Sequence, residues 1–96
     1  MLHLKQKFDF KTGGASIEVY VDNKEIIVNQ RSFRSYVNDK KELIHKFLEH
    51  IEKSIKDIKT FIDNIKVVTY NKDDIQLAIK KLNVYKDNLL NELKKV

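Results

Sequence analysis

Hydrophobic and polar positions follow two different periods along this chain, and the change comes near residue 38. Residues 2–10 alternate, with Leu2, Leu4, Phe8 and Phe10 on one side and His3, Lys5, Lys7 and Asp9 on the other. Period two is the mark of a half-buried strand. Lys11-Thr12-Gly13-Gly14-Ala15 follows and holds both glycines of the protein. Paired glycines between alternating runs signal a hairpin, because each accepts positive φ without a Cβ clash. Ile17, Val19 and Val21 resume the pattern against Glu18, Tyr20 and Asp22, and Asp22-Asn23 suits a second tight turn. Glu25-Ile26-Ile27-Val28 then leads as a third strand into Asn29-Gln30-Arg31. The pattern predicts a three-stranded antiparallel β-meander within residues 1–38. Its buried face carries Leu4, Phe8, Phe10, Ile17, Val19, Val21, Ile26 and Val28. Residues 32–38, with Phe33, Tyr36 and Val37, fit a longer third strand, a short fourth strand or an irregular link.

From Asp39 to Lys66 the period is helical. Ile44, Leu48, Ile51, Ile55, Ile58, Ile62 and Ile65 fall at alternating steps of four and three, with no glycine or proline among them. Asp39 is the expected N-cap, with Glu42 three residues on. The β-branched run Val67-Val68-Thr69 interrupts the helix, and Asn71 to Asp74 offers new caps. A second helix is expected over residues 71–96, with Ile75, Ile79, Leu82, Leu89, Leu93 and Val96 as its seam. Lys86 occupies the one seam position where the repeat asks for an apolar residue. Its stem suits burial with the ammonium in water; the sharper reading is a choice of register or partner, as in coiled coils.

Two seams of similar length and a short link predict an antiparallel helical hairpin. The whole is an α+β fold, β-β-β-α-α, in a single domain over residues 1–96. A helix of 28 residues is about 42 Å long, whereas a seven-residue strand spans about 23 Å. The hairpin therefore overhangs the sheet, unless the first helix breaks between Asp57 and Asn64 and folds back. Apolar residues off the seams, Phe47 and Phe61 on the first helix and Leu77, Val84, Tyr85 and Leu90 on the second, form a surplus. They are assigned to an interface with a homodimer partner or another protein, with Phe47 and Phe61 alternatively against the sheet.

Composition narrows the chemistry. The absence of cysteine removes disulfides, thiolate catalysis and sulfur-ligated metals. No apolar run reaches the roughly 18 residues of a membrane span, and Met1-Leu2-His3 does not open a signal peptide. No membrane association is expected, and the cytoplasm is the expected location. The net charge of +5 is spread along the chain, and only Arg31 and Arg34 are arginines. Lysine, asparagine and isoleucine are abundant, as AT-rich coding produces; a low-GC bacterium or its phage or plasmid is the expected source.

His45 and His50 are five residues apart and do not share a helix face as an i, i+4 pair would. Glu49 and Glu52 are nearby, but their pattern is that of an ordinary solvated helix face, without the matched carboxylate or cysteine set a metal would want. Ser16, Ser32, Ser35 and Ser54 sit in no strand–turn–helix elbow. Gly13-Gly14 precedes a strand, where a phosphate loop would precede a helix. No catalytic residue, metal or cofactor is expected, and the chain reads as a non-enzymatic protein–protein interaction module, a regulator or inhibitor of another macromolecule.

The alternative is nucleic-acid binding. Lys5, Lys7, Tyr20, Lys24, Arg31, Phe33, Arg34 and Tyr36 mix cations with aromatics on the outer sheet face and its exit, as single-strand stacking platforms do. Asp9, Glu18, Asp22 and Glu25 dilute the field. Ile17 to Leu43, with strand, polar turn, strand, Arg-Ser-Phe and a Lys-Lys-Glu helix start, resembles the three-stranded arm-binding domains of phage and transposon integrases. It resembles more faintly the strand–strand–helix end of double-stranded RNA-binding domains. That likeness spans about a quarter of the chain. It lacks the aromatic opening of the former and the alanine-rich basic helix of the latter.

Overall fold

Three antiparallel strands precede two long helices in a computed structural model that describes residues 1–34, 39–64 and 71–95. The elements are β1 (Leu2–Phe8), β2 (Gly14–Val21), β3 (Lys24–Ser32), α1 (Lys40–Asn64) and α2 (Lys72–Leu93). The sheet order is β1-β2-β3, so β2 is central and both neighbours are edges. This is the expected α+β, β-β-β-α-α order. Ser35, Tyr36, Val37, Asn38 and residues 65–70 and 96 lie outside the described residues, and with them the readings placed on Tyr36, Ile65 and Val96.

The two hairpins close by different local chemistry. Asp22 and Asn23 take φ of 51° and 66°; two consecutive positive φ values make a two-residue turn whose twist matches the strands. The first connection is longer. Asp9 Oδ1 accepts from the backbone N–H groups of Lys11 at 2.8 Å and Thr12 at 3.3 Å, the side-chain turn that aspartate favours. Only Gly13 has positive φ, at 72°; Gly14 already belongs to β2. Because β1 ends at Phe8, Phe10 falls in this connection and is 41% exposed, against the expected inward position.

The inner face of β2 is fully covered, with Ala15, Ile17, Val19 and Val21 buried. On β3 the register shifts between Val19 and Tyr20: Val19 faces Ile27, while Tyr20 faces Glu25. Ile26 is thus an extra residue, a β-bulge, and a bulge reverses the face of every position after it. Ile26 and Ile27 are both buried and Val28 is 37% exposed. The expected inward place of Val28 is corrected. Asn29, opposite Ile17, takes the inward register instead.

α1 is continuous through Asp57 to Asn64, so it does not fold back there. Asp39 caps it, accepting the Glu42 N–H at 2.8 Å; Asn71 caps α2 by accepting from Asp73 and Asp74 N–H. Ile44, Leu48, Ile51, Ile55 and Ile58 are buried, as are Ile75, Leu82 and Leu89 of α2. A second buried line runs along α1 through Leu43, Phe47, His50 and Ser54. Steps of four, three and four keep that line on one stripe beside the seam, and it faces the sheet. At the gap in the α2 seam, Lys86 Nζ reaches Glu52 Oε1 of α1 at 3.0 Å, an ammonium at the rim with its stem partly covered.

Candidate interaction surfaces

Aromatic packing decides which of the surplus apolar residues remain available. Phe47 has no exposed surface. Its ring meets Phe8 at 5.0 Å, Phe10 at 5.4 Å and Phe33 at 6.2 Å between centroids, edge-to-face pairs that aromatic quadrupoles favour. Phe8 also stacks on Tyr85 at 4.9 Å. Phe47 therefore packs within the fold against the sheet and offers nothing to a partner, which corrects its place among interface residues. Phe61 is partly buried against the core. Tyr85 is half-buried, where burial pushes its hydroxyl above the usual tyrosine range. Leu77, Val84 and Leu90 are exposed, at 40%, 56% and 37%.

Leu77 and Val84 flank a groove of about 660 Å³ between α2 and β1. Leu2, Leu4 and Gln6 form its strand side; Lys80, Lys81, Tyr85 and Asn88 complete its helix side. Steps of four, three and four place Leu77, Lys81, Val84 and Asn88 on one stripe of α2. The groove exists because the helical layer does not reach the edge of the sheet. Leu2, Leu4 and Phe8 are only partly buried and Gln6 is exposed, while their β2 partners Val21, Val19, Ala15 and Ile17 are buried.

The opposite edge of the sheet is built around polar contacts. His50 Nε2 lies 3.1 Å from the Asn29 carbonyl oxygen. Asn29 Nδ2 donates to Ser54 Oγ at 2.9 Å and to Asp57 Oδ2 at 3.1 Å. The Ser54 hydroxyl in turn donates to the His50 carbonyl at 2.9 Å, and Lys53 Nζ pairs with Asp57 at 3.1 Å. Burial lowers the His50 pKa; the Asn29 carbonyl acts the other way, and the positive charges of Lys53 and Arg31 add to the lowering. Burial would raise the Asp57 carboxyl, but the hydrogen bonds from Lys53 and Asn29 outweigh it and hold the carboxyl below its usual range. Val28, Gln30 and Arg31 of β3 with Glu49, His50 and Lys53 of α1 line a groove of about 320 Å³ beside these contacts.

The residues of the nucleic-acid reading do not assemble on one face. Lys5, Lys7 and Tyr20 share the outer face with His3. There Lys5 stands opposite Glu18, Tyr20 is opposite Glu25, and the Tyr20 hydroxyl bonds Glu18 at 3.2 Å. Lys24 is opposite Val21 and Arg31 opposite Ala15, both in the inner register. Phe33 is buried in the aromatic cluster with the Arg31 guanidinium 5.2 Å from its ring centre. Its burial removes it from any stacking platform. Arg34 is exposed beyond β3. Sequence reading missed His50, Ser54 and Asn29 as a set; the spacing of Phe47, His50, Ser54, Asp57 and Phe61 was its available signal.

Among the described residues no group of three His, Asp or Glu side chains comes together as a metal site. No described helix is long and apolar enough to cross a membrane. Comparison with known proteins adds one finding. Residues 13–72 match the Hph family, described as a Sec63/Sec62 complex-interacting family. The chain belongs to the Hph family. The matched segment takes in β2, β3 and α1, and leaves out β1 and nearly all of α2. No curated protein and no solved structure matches the chain. The family description points to protein partners.

Proposed function

We propose that this chain is a non-enzymatic protein–protein interaction module that binds a component of a Sec63/Sec62 complex. The observation that carries the reading is the Hph match over residues 13–72. Within that segment β2 is the central strand and β3 an edge, and the β3 edge with the adjoining flank of α1 forms a groove open to a partner. Val28 supplies exposed apolar surface there, and Gln30, Arg31, Glu49 and Lys53 supply polar groups around it. Such a small apolar spot with a polar rim is the usual anatomy of a non-obligate contact.

The test is direct binding of the purified chain to a purified Sec63/Sec62 complex, read by biolayer interferometry. Saturable binding is expected, weakened about tenfold by Val28→Asp, as loss of a central apolar contact commonly does. A chain shown folded by circular dichroism that does not bind at low salt overturns the reading. Nucleic-acid binding keeps one point in its favour, the shared outer face of His3, Lys5, Lys7 and Tyr20. Salt-sensitive binding to single-stranded DNA or RNA that is lost on Lys5→Glu with Lys7→Glu would favour it instead.

A further inference from the structure

The groove between β1 and α2 lies outside the segment that carries the Hph match, so what it binds is a separate question from the family reading. Three features of β1 bear on it. The first is hydrogen bonding. The turn bonds Asp9 N–H to Gly14 C=O at 2.9 Å and Asp22 N–H to Met1 C=O at 3.1 Å fix the phase of the β1–β2 ladder. Alternation then directs the backbone groups of His3, Lys5 and Lys7 to β2 and those of Leu2, Leu4 and Gln6 to the open edge. No strand lies beyond β1 among the described residues.

The second feature is the floor. Leu77 and Val84 stand exposed and line the same groove as Leu2, Leu4 and Gln6 of that edge. The third is charge. Lys80 and Lys81 line the groove, His3, Lys5 and Lys7 alternate along the outer face of β1, and among the described residues no carboxylate lines the groove.

We propose that the β1 edge accepts an extended acidic and apolar segment of another protein as a fourth strand. Its inward side chains rest on Leu77 and Val84, and its outward carboxylates lie beside Lys5 and Lys7. This is strand addition, in which main-chain bonds give affinity and alternate side chains give selectivity.

A second copy of this chain is disfavoured by the same residues. Directly opposed side chains in an antiparallel pair point to the same face. Any β1–β1 pairing that keeps both apolar faces inward therefore sets His3, Lys5 and Lys7 against one another. Opposed like charges destabilise such a pair. An acidic strand relieves this arrangement and a copy of β1 compounds it.

The probe is a capped eight-residue peptide alternating valine with glutamate, compared with its valine–lysine counterpart. NMR of the isotope-labelled chain is expected to show saturable shifts and slowed amide exchange at Leu2, Leu4 and Gln6 with the glutamate peptide alone. Affinity should fall several-fold between about 50 and 300 mM salt, as exposed charges are screened. Gln6→Pro removes an edge N–H that β2 does not use and should abolish binding. Leu77→Glu with Val84→Glu, two exposed sites, gives a second route and should weaken it at least about tenfold, or ~1.4 kcal/mol. Equal binding of both peptides, or shifts confined to β3 and α1, overturns the proposal. So does a dimer, seen by light scattering, that Gln6→Pro dissolves. The Sec63/Sec62 binding assay reads the other surface: its failure with the peptide still bound removes only the family reading, and the reverse removes only this one.

Discussion

Asn29 and Ser54, 25 residues apart in sequence, are joined by a 2.9 Å hydrogen bond from Nδ2 to Oγ. The bond ties the edge strand to the long helix at a place where both would ordinarily carry apolar residues. Asn29→Val raises the strand preference and roughly keeps the volume, but removes the donor. Leaving the buried Ser54 oxygen short of its partner costs about 1–3 kcal/mol. Urea denaturation should show a lower midpoint with an unchanged slope; an unchanged midpoint would remove the contact from any account of stability.

His50 gives that contact region a pH dependence. Its folded pKa lies below the ordinary 6.5 because burial disfavours the charged ring. When pH falls below 6.5, the unfolded chain takes up a proton that the folded chain refuses. Stability is therefore full above that range and declines as pH drops toward the lowered folded value, by at most about 1.4 kcal/mol per pH unit. Asp57, Asp9 and Asp22 are shifted below their ordinary 3.8, so their own losses come at lower pH. His50→Gln should flatten the profile just below pH 6.5, where the unfolded ring begins to protonate. A slope that survives this substitution assigns it to another group.

Gly13 should tolerate no side chain. Its φ is 72°, and a Cβ there would lie 2.8 Å from the Arg34 backbone nitrogen, with Arg34 Cα at 3.2 Å. The left-handed conformation alone costs a residue with a Cβ about 1–2 kcal/mol, and the backbone contact adds to it. Gly13→Ala should lower the melting temperature by several degrees, whereas Gly14→Ala, facing only the Thr12 side chain at 3.3 Å, should change it far less. Equal effects at the two positions would contradict the geometry.

Phe47 and Leu77 separate core from surface. Phe47→Ala leaves a void among Phe8, Phe10 and Phe33 and should cost about 3–5 kcal/mol, a large part of the 5–15 kcal/mol usual for a domain. Leu77→Ala should stay within about 0.5 kcal/mol. Thermal melts followed by circular dichroism compare them, and a mild effect at Phe47 would argue against the packed aromatic cluster.

The helical seams were legible because seven isoleucines and leucines at steps of four and three admit one reading. The β-meander was legible for the same reason, down to Asp22-Asn23. Its parity after Ile26 was not. Ile26-Ile27-Val28 breaks the alternation without showing which residue is extra, and choosing Ile26 and Val28 as inward sends Asn29 outward. The bulge reverses that choice. With Asn29 outward, His50, Ser54 and Asp57 read as an ordinary wet face of α1; with it inward, they are its partners. Phe47 had two places open, the sheet or an interface, and its packing against Phe8, Phe10 and Phe33 settles it within the fold. The exposed Leu77 and Val84 were legible as surplus, since a helix with one covered stripe has no further use for them. The groove they flank was not, because it follows from how far the helical layer extends over β1.

The Asn29 contacts have one more consequence, for how α1 is phased along the sheet. One stripe of α1 reads Phe47, His50, Ser54, Asp57, Phe61: aromatic at both ends, polar between. Sliding the helix by two turns would bring Phe47 or Phe61 to the level of Asn29 and take Ser54 away from it. An all-apolar line would tolerate that shift with little change in buried area. The polar stretch works as a vernier mark, legible only when β3 is bulged, which couples the longitudinal setting of the helix to a single inserted residue in the strand.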